Sequence, residues 1–476
     1  MAEGVAEEPA KITRMHPLIG AALAITMVAV VAERLTGGAV FATIAAMAVL
    51  TAILAMLPGI RWQRRIFVII GASLASIAFA MREDWAALLS AAAASAAFIA
   101  AFFTAQACLR SVAVRSPAIE ECGRYIADQP PGRRYLALTL GGQGFGIVLG
   151  YGALSLLGSL AEASARGEQN AEVRLHRRRR MLLAIQRGFV STLPWSPLAF
   201  LVAITTAKVP DVTWEAMVLP GLVSAVILAG VGWALDTLFK PRLKSPPPPR
   251  PHHPEPWYEA MRPLLILLTL MALGVGGVAL SLGLTAPIAV MIVVPPLALG
   301  WVALQQGGGR PVAAMMGWAA GYLARELPRY DGEITLLVMA GFIGTLGGQL
   351  AAPLLSGAGL GLAALPGPMV LMVLMWMVPL AGQVGMNPIL AVALAAPILP
   401  EAASFGASPT AVAVAIACGW ALSGITSPFT ATTLLIGAFG RVSAAHVGLV
   451  WNALYTLVTG SLLSGWVLVV HVLSAP

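Results

Sequence analysis

Apolar runs of about 20 residues recur along the chain and are separated by short polar or charged segments. A run of that length crosses a hydrocarbon core of roughly 30 Å as a single α-helix. The pattern predicts an all-α polytopic membrane protein with about eleven transmembrane helices. The predicted spans are residues 16–33, 38–58, 65–82, 85–108, 182–207, 213–238, 262–282, 285–304, 333–358, 409–440 and 445–473.

Two further apolar stretches, at about 135–158 and 367–399, do not fit as ordinary spans. Arginine-rich segments at 110–134 and 174–181 lie on both sides of the first stretch, and such loops face the cytoplasm. A hairpin enters and leaves from the same side, so both stretches are predicted to be re-entrant hairpins. The N-terminus is then inside, the C-terminus is outside, and the run 310–325 lies at the cytoplasmic surface.

The two halves of the chain show a weak internal duplication. Residues 140–143 align with 380–383 at an offset of 240, and residues 184–197 align with 415–428 at an offset of 231. Each half contains three spans, a hairpin, a broken span and a last span, which predicts two inverted-topology repeats. The predicted divisions are an N-terminal segment with an extra first helix (1–37), the first repeat (38–238), a Pro-rich cytoplasmic linker (239–261) and the second repeat (262–476).

Ser-Pro pairs stand within the predicted spans 182–207 and 409–440. Proline ends a helix but is accepted at the first turn of a new one, and serine is a good N-cap, so Ser196–Pro197 and Ser427–Pro428 predict the starts of second half-helices. Residues 191–195 and 423–426 are the predicted unwound links. Unwound backbone within a membrane must be buried in protein or face water, which predicts a solute site. The alternative is a simple proline kink in which Ser and Thr hydroxyl groups bond to the freed backbone groups.

Glycines and side-chain amides mark the predicted hairpin tips at 140–146 and 380–388. Glycine permits tight reversal and close approach of a ligand, and the amides offer both donors and acceptors; the alternative is that each amide caps its own turn. The predicted solute-binding residues are Gly142, Gln143, Gly144, Ser196, Pro197, Gln383, Asn387, Thr426, Ser427 and Thr430. The predicted cation-binding residues are Gly141, Thr192, Gly382, Gly385, Ser423 and Gly424.

Composition narrows the class of protein. Of 476 residues, 58% are hydrophobic and 11% are charged, with a mean hydropathy of +0.84, which is typical of membrane proteins. The net charge of +8 comes from basic loops, so no nucleic acid partner is expected. Cys108, Cys122 and Cys418 lack paired or metal-ligand spacing and no HExxH motif occurs, so we expect neither a resident metal, a cofactor nor an enzyme.

The layout resembles the ion transporter superfamily, which includes divalent-anion/sodium symporters and arsenite-permease-like proteins. The Ser-Pro elements at 196–197 and 427–428 match that family, whereas its Ser-Asn-Thr hairpin tips are replaced here by GGQGFG and GQVGMN. The resemblance implies eleven spans, two re-entrant hairpins, two broken helices and a homodimer with separate scaffold and transport parts.

These features predict a secondary active transporter of a small organic anion or polar solute, working by elevator-type alternating access in a bacterial inner membrane. Half-helix N-termini favour an anionic group, and the oxygen-rich breaks suit Na⁺ as a coupling ion. Neither break contains a buried Asp or Glu, which favours sodium over proton coupling. The expected partners are the solute and membrane lipid. A proton-coupled or uncoupled exporter or anion permease, and a non-transporting receptor or scaffold, remain alternatives.

Overall fold

A computed structural model describes residues 16–240, 256–305, 310–357 and 365–474. Across those ranges all regular structure is helical, as the apolar pattern predicted. The acidic N-terminal residues and most of the Pro-rich linker predicted at 239–261 lie outside the described residues. Their predicted roles stay predictions.

The helices follow the apolar runs closely. In chain order they are α1 (His16–Thr36), α2 (Ala39–Met56), α3 (Trp62–Met81), α4 (Trp85–Ala113), α5 (Pro117–Ala127), α6 (Pro131–Leu149), α7 (Gly152–Arg166), α8 (Ala171–Val190), α9 (Phe200–Lys208), α10 (Trp214–Leu238), α11 (Trp257–Leu282), α12 (Ala286–Gln305), α13 (Pro311–Gly321), α14 (Asp331–Gly357), α15 (Gly367–Gln383), α16 (Pro388–Ala395), α17 (Pro409–Thr426), α18 (Ala431–Gly440), α19 (Ala444–His446) and α20 (Ala453–Leu473). Short π-helical turns occur at Tyr322–Glu326 and Val447–Trp451.

Within the described part of the chain, ten helical stretches are long and apolar enough to cross a membrane. The protein is therefore an integral, multi-pass membrane protein, as predicted. The predicted span at 182–207 is not one of the ten, because it is divided into the charged helix α8 and the nine-residue helix α9.

The chain folds as two compact units. The first contains the described residues up to Cys108 together with Ala298–Leu346, and the second contains Leu109–Leu297 and the described residues from Gly347 onward. This division cuts across both repeats predicted from the sequence. The second unit holds both hairpins and both broken helices.

In the first unit, α1 packs against α2 and against the π-helical turn at Tyr322–Glu326. Gly20 allows α1 to lie directly on the Leu323 carbonyl group. The predicted surface segment 310–325 is not a separate element: α13 continues through the π turn and a 3₁₀ turn into α14. Tyr322 is buried there and its hydroxyl donates to the Thr104 carbonyl at 2.7 Å, which explains why the turn stays in the protein interior.

In the second unit, both predicted hairpins form. The first consists of α6 and α7, and the second of α15 and α16. The second reverses near Gly385, whose φ of 88° favours glycine, as predicted for residues 380–388. The predicted first tip at 140–146 is wrong, because those residues lie inside α6 and the chain reverses at Gly150, with φ of 53°. The glycines of α6 serve helix packing instead.

The first arm of each hairpin crosses the first half of a broken helix in the same way. Gly188 of α8 packs on the Thr139 carbonyl, and Gly419 of α17 packs on the Met375 carbonyl. A glycine at each crossing lets the two backbones approach closely. Gly188 and Gly419 are 231 residues apart, as the alignment of the two broken helices predicts. Thr139 and Met375 are 236 residues apart, whereas the alignment of the two hairpins predicts 240. The contact positions on the hairpin arms therefore differ from that alignment by about one helical turn.

Candidate functional site

The helix α17 ends where proline removes a donor. The Ser427 N–H still donates to the Ser423 carbonyl at 3.0 Å, but the next residue, Pro428, has no N–H for the Gly424 carbonyl. The Thr432 hydroxyl donates to that carbonyl instead. The predicted break between Leu422 and Leu435 is thus confirmed, and its lost backbone bond is replaced by a side chain from the following helix.

The second break lies slightly later than predicted. Residues 423–426 are still helical, and non-helical backbone occupies 427–430. The second half-helices begin at Phe200 and Ala431, so the predicted N-cap roles of Ser196 and Ser427 are wrong; Ala199 and Thr430 hold those positions. Each serine hydroxyl accepts from an N–H two residues ahead, within a turn that precedes the new helix.

Hairpin 2 (α15 and α16) meets the second break at Gly382. The Ser427 hydroxyl donates to the Gly382 carbonyl at 2.6 Å, and a Cβ atom added at Gly382 would lie 2.6 Å from the Ser423 Oγ. Ser423 is 0% exposed, and within the described residues its hydroxyl has no hydrogen-bond partner. A buried hydroxyl normally finds a partner, so the Ser423 hydroxyl is a ready ligand for a bound group.

Threonine hydroxyls line the other side of the second break. Thr433 donates to the Ser427 carbonyl at 2.6 Å, and Thr430 donates to the same carbonyl at 3.0 Å. Thr432 and Thr433 are buried. The break therefore gathers neutral oxygen atoms, which can coordinate a hard cation or bind polar groups of a solute.

The first break is closed by tryptophan. The Trp195 indole donates to the Ser191 carbonyl at 3.1 Å, and the Trp214 indole donates to the Trp195 carbonyl at 2.8 Å. Residues 191–195 are non-helical, as predicted. Indole N–H groups satisfy carbonyl groups at this break, whereas hydroxyl groups do so at the second one.

Gln143 joins hairpin 1 (α6 and α7) to the first break. Its side-chain nitrogen donates to the Ser191 hydroxyl at 2.7 Å, and that hydroxyl donates to the Gly188 carbonyl at 2.7 Å. The two breaks also approach each other, because a Cβ atom at Gly424 would lie 3.4 Å from a methyl group of Val190. The structure thus brings residues of both repeats to one region of the second unit.

The other predicted site residues have local partners. Gln383 donates to Pro379 in its own helix at 3.3 Å, and Asn387 caps α16 by accepting from Ile389 at 2.8 Å. The Thr192 and Thr426 hydroxyls donate to carbonyls within one turn. Gly141, Gly142 and Gly144 pack against Ile126, Ile185 and Leu264 respectively.

One buried group of polar and charged residues was not among the predicted site residues. Gln186 and Arg187 of α8 are buried beside Asn452 and Tyr455 in the second unit. The sequence carried a signal, since a single arginine interrupts the apolar run from Met181 to Val190. An ionisable residue in such a run marks a functional site by default.

Comparisons with known proteins support the fold. No family model and no curated protein sequence matches the chain, whereas fifteen chains of solved structures do. The YdaH transporter of Alcanivorax borkumensis is similar with a TM-score of 0.56 and 18% identity, over 87% of this chain and 98% of YdaH. MtrF of Neisseria gonorrhoeae is similar with a TM-score of 0.54 and 16% identity, over 86% of this chain and 96% of MtrF. MtrF is described as representing a class of antimetabolite efflux pumps.

These identities are low, so the likeness establishes a shared fold across most of both chains. Of the proteins that share it, YdaH is described as a transporter and MtrF as one of a class of efflux pumps. Membership of the ion transporter superfamily stays a prediction from the sequence.

Proposed function

We propose that the protein is a secondary active transporter that carries a small organic anion or polar solute across the membrane. The main support is the buried, unpartnered Ser423 hydroxyl, which faces Gly382 where hairpin 2 meets the second break. The similar folds of YdaH and MtrF, both transport proteins, add to that support.

In this proposal the solute binds between hairpin 2 and the second break. Ser423, Ser427 and Thr430 supply hydroxyl groups, and the first turn of α18 supplies backbone N–H groups whose partial positive charge suits an anionic group. Alternating access moves the hairpins and broken helices together, as in an elevator mechanism.

Sodium is the proposed coupling ion. The carbonyl groups and hydroxyls around Gly382, Ser423 and Gly424 are hard oxygen ligands, which suit Na⁺. The hydrogen-bond partners of Ser191, Ser427 and Thr433 are amide, hydroxyl and carbonyl groups, whereas proton coupling usually needs a carboxylate.

The test is flux into liposomes that contain the purified protein. We expect a panel of radiolabelled monocarboxylates and neutral amino acids to include a substrate, and an inward sodium gradient to accelerate its uptake. Ser423→Ala should reduce that uptake about tenfold, since one hydrogen bond to the bound group is lost.

Ser461→Ala is the matched control, because the Ser461 hydroxyl is exposed and donates only to the Leu457 carbonyl of its own helix. Uptake by this variant should equal that of the wild type. Uptake that follows a pH gradient and ignores sodium would reject sodium coupling in favour of the proton-coupled alternative. No uptake of any tested solute would favour the receptor or scaffold alternative.

A further inference from the structure

Arg187 is a buried cation whose described partners are all neutral. Its Nε and Nη2 atoms each donate to the Asn452 Oδ1 at 3.1 Å, and its Nη1 donates to the Tyr135 hydroxyl at 3.0 Å. The guanidinium carbon also lies 4.2 Å from the centre of the Tyr455 ring. Arg187 is only 5% exposed. A buried charge normally has an ionic partner, and neutral acceptors compensate it only in part.

One acidic side chain beside α8 is already paired. Asp236 of α10 accepts two hydrogen bonds from Arg180, at 2.7 and 2.6 Å. Arg180, Arg187 and Ser191 are spaced by seven and four residues, so they share one face of α8. Along this face lie, in order, the Arg180–Asp236 ion pair, Arg187 with its neutral partners, and Ser191 at the first break.

Gln186 adds a donor without a partner. Its Oε1 accepts from the Asn452 Nδ2 at 3.0 Å, while its Nε2 has no hydrogen-bond partner among the described residues and the side chain is 0% exposed. The group of Gln186, Arg187 and Asn452 therefore has a surplus of donors and a positive charge. Both properties match an anion with more than one acceptor oxygen.

A π-helical turn places Asn452 at this position. The Asn452 N–H donates to the Val447 carbonyl at 3.1 Å, five residues back, and its side-chain nitrogen donates to the same carbonyl at 3.1 Å. Such turns are rare and are often found at functional sites. The turn fixes the amide so that its oxygen faces Arg187 and its nitrogen faces Gln186.

We propose that Gln186, Arg187 and Asn452 form an anion-binding site for a small monocarboxylate, separate from the site at Ser423. The carboxylate would pair with Arg187 and accept from the Gln186 side-chain nitrogen. If the protein is a transporter, this site is a second binding position for an anionic solute; that role rests on the proposed function, whereas the binding itself does not.

The binding test uses purified protein with acetate as the probe and acetamide as its neutral counterpart, at equal ionic strength. Acetate should raise the Tm of the wild type by about 2 °C more than acetamide, because it binds only the folded protein. Gln186→Glu should remove this difference, since the new carboxylate neutralises Arg187 in place and keeps the acceptor for Asn452. Its own Tm should equal or exceed that of the wild type.

Arg187→Gln should also remove the acetate effect. Arg179→Gln is the matched control, because Arg179 lies on the same helix but stacks on Trp451 instead, 5.5 Å from the ring centre; it should keep the effect. If Arg187→Gln does not fold, Gln186→Glu alone decides. The proposal is overturned if wild-type protein does not distinguish acetate from acetamide, or if Gln186→Glu responds to acetate as the wild type does.

Flux measurements separate this proposal from the proposed function. Substrate uptake that is normal in Gln186→Glu and Arg187→Gln, with no acetate effect on wild-type Tm, would remove the anion site and leave transport standing. An acetate effect that depends on Arg187, without uptake of any solute in liposomes, would keep the site and remove transport.

Discussion

At the scale of single residues, the candidate site depends on glycines that bring backbone and hydroxyl groups together. Gly382 is the clearest case, because a Cβ atom there would meet the Ser423 Oγ at 2.6 Å and the Ser427 Cβ at 3.0 Å. Its φ angle does not require glycine; the close approach does. Ser423 was predicted as a ligand from its place before a proline, but its lack of a partner emerged only from the packing.

Gly382→Ala should therefore destabilise the protein by about 1–3 kcal/mol, as expected for an added methyl group in a filled space. Uptake should fall with it. Gly277→Ala is the control, since Gly277 is also helical but has no atom within 4 Å of an added Cβ. Its Tm should match or slightly exceed that of the wild type.

Ser423→Ala in the Gly382→Ala background removes the colliding oxygen. We expect the double variant to recover most of the lost Tm without recovering uptake, because the hydroxyl that binds the solute is absent. Recovery of both properties would show that Ser423 has only a packing role.

At the scale of elements, each break replaces missing backbone bonds in a different way. The second break uses the Thr432 hydroxyl on the Gly424 carbonyl, and the first uses the Trp195 and Trp214 indoles. The Ser-Pro pairs at equivalent positions of the two halves predicted both interruptions. The replacement donors were not predictable, because each depends on where the chain goes after the proline, and the Trp214 donor comes from another helix.

Pro428→Ala should repair the second break. The new N–H can bond to the Gly424 carbonyl, so α17 is expected to continue past Thr426 and displace the Thr432 hydroxyl. Uptake should be lost while Tm stays equal or rises, and amide hydrogen exchange at residues 427–431 should slow. Pro263→Ala in α11 is the control and should leave uptake unchanged. Normal uptake by Pro428→Ala would show that transport does not need the break.

At the scale of the whole molecule, the chain crosses the membrane many times, and the loop charges predict its orientation. Basic segments such as 59–65 are predicted to face the cytoplasm, which places the turn between α3 and α4 outside. The three native cysteines are buried in the structure. A cysteine introduced in a loop can therefore be labelled with little background.

Glu83→Cys should react with a membrane-impermeant maleimide in intact cells, whereas Arg61→Cys should react only after the membrane is permeabilised. Both native side chains are exposed, so a lack of labelling would reflect the membrane side and not burial. The opposite pattern would reverse the predicted orientation and with it the positions of both termini.

The sequence by itself determined the membrane class, the helical spans and the two interruptions. Apolar run length fixes which segments can cross a bilayer, and a proline has no N–H for the carbonyl group four residues before it, which weakens the helix at that point. Only the tertiary structure decided where hairpin 1 reverses, which serine is left without a partner and how Arg187 meets Asn452. Those features depend on contacts between residues as much as 265 positions apart, and local pattern carries no information about which distant groups will meet.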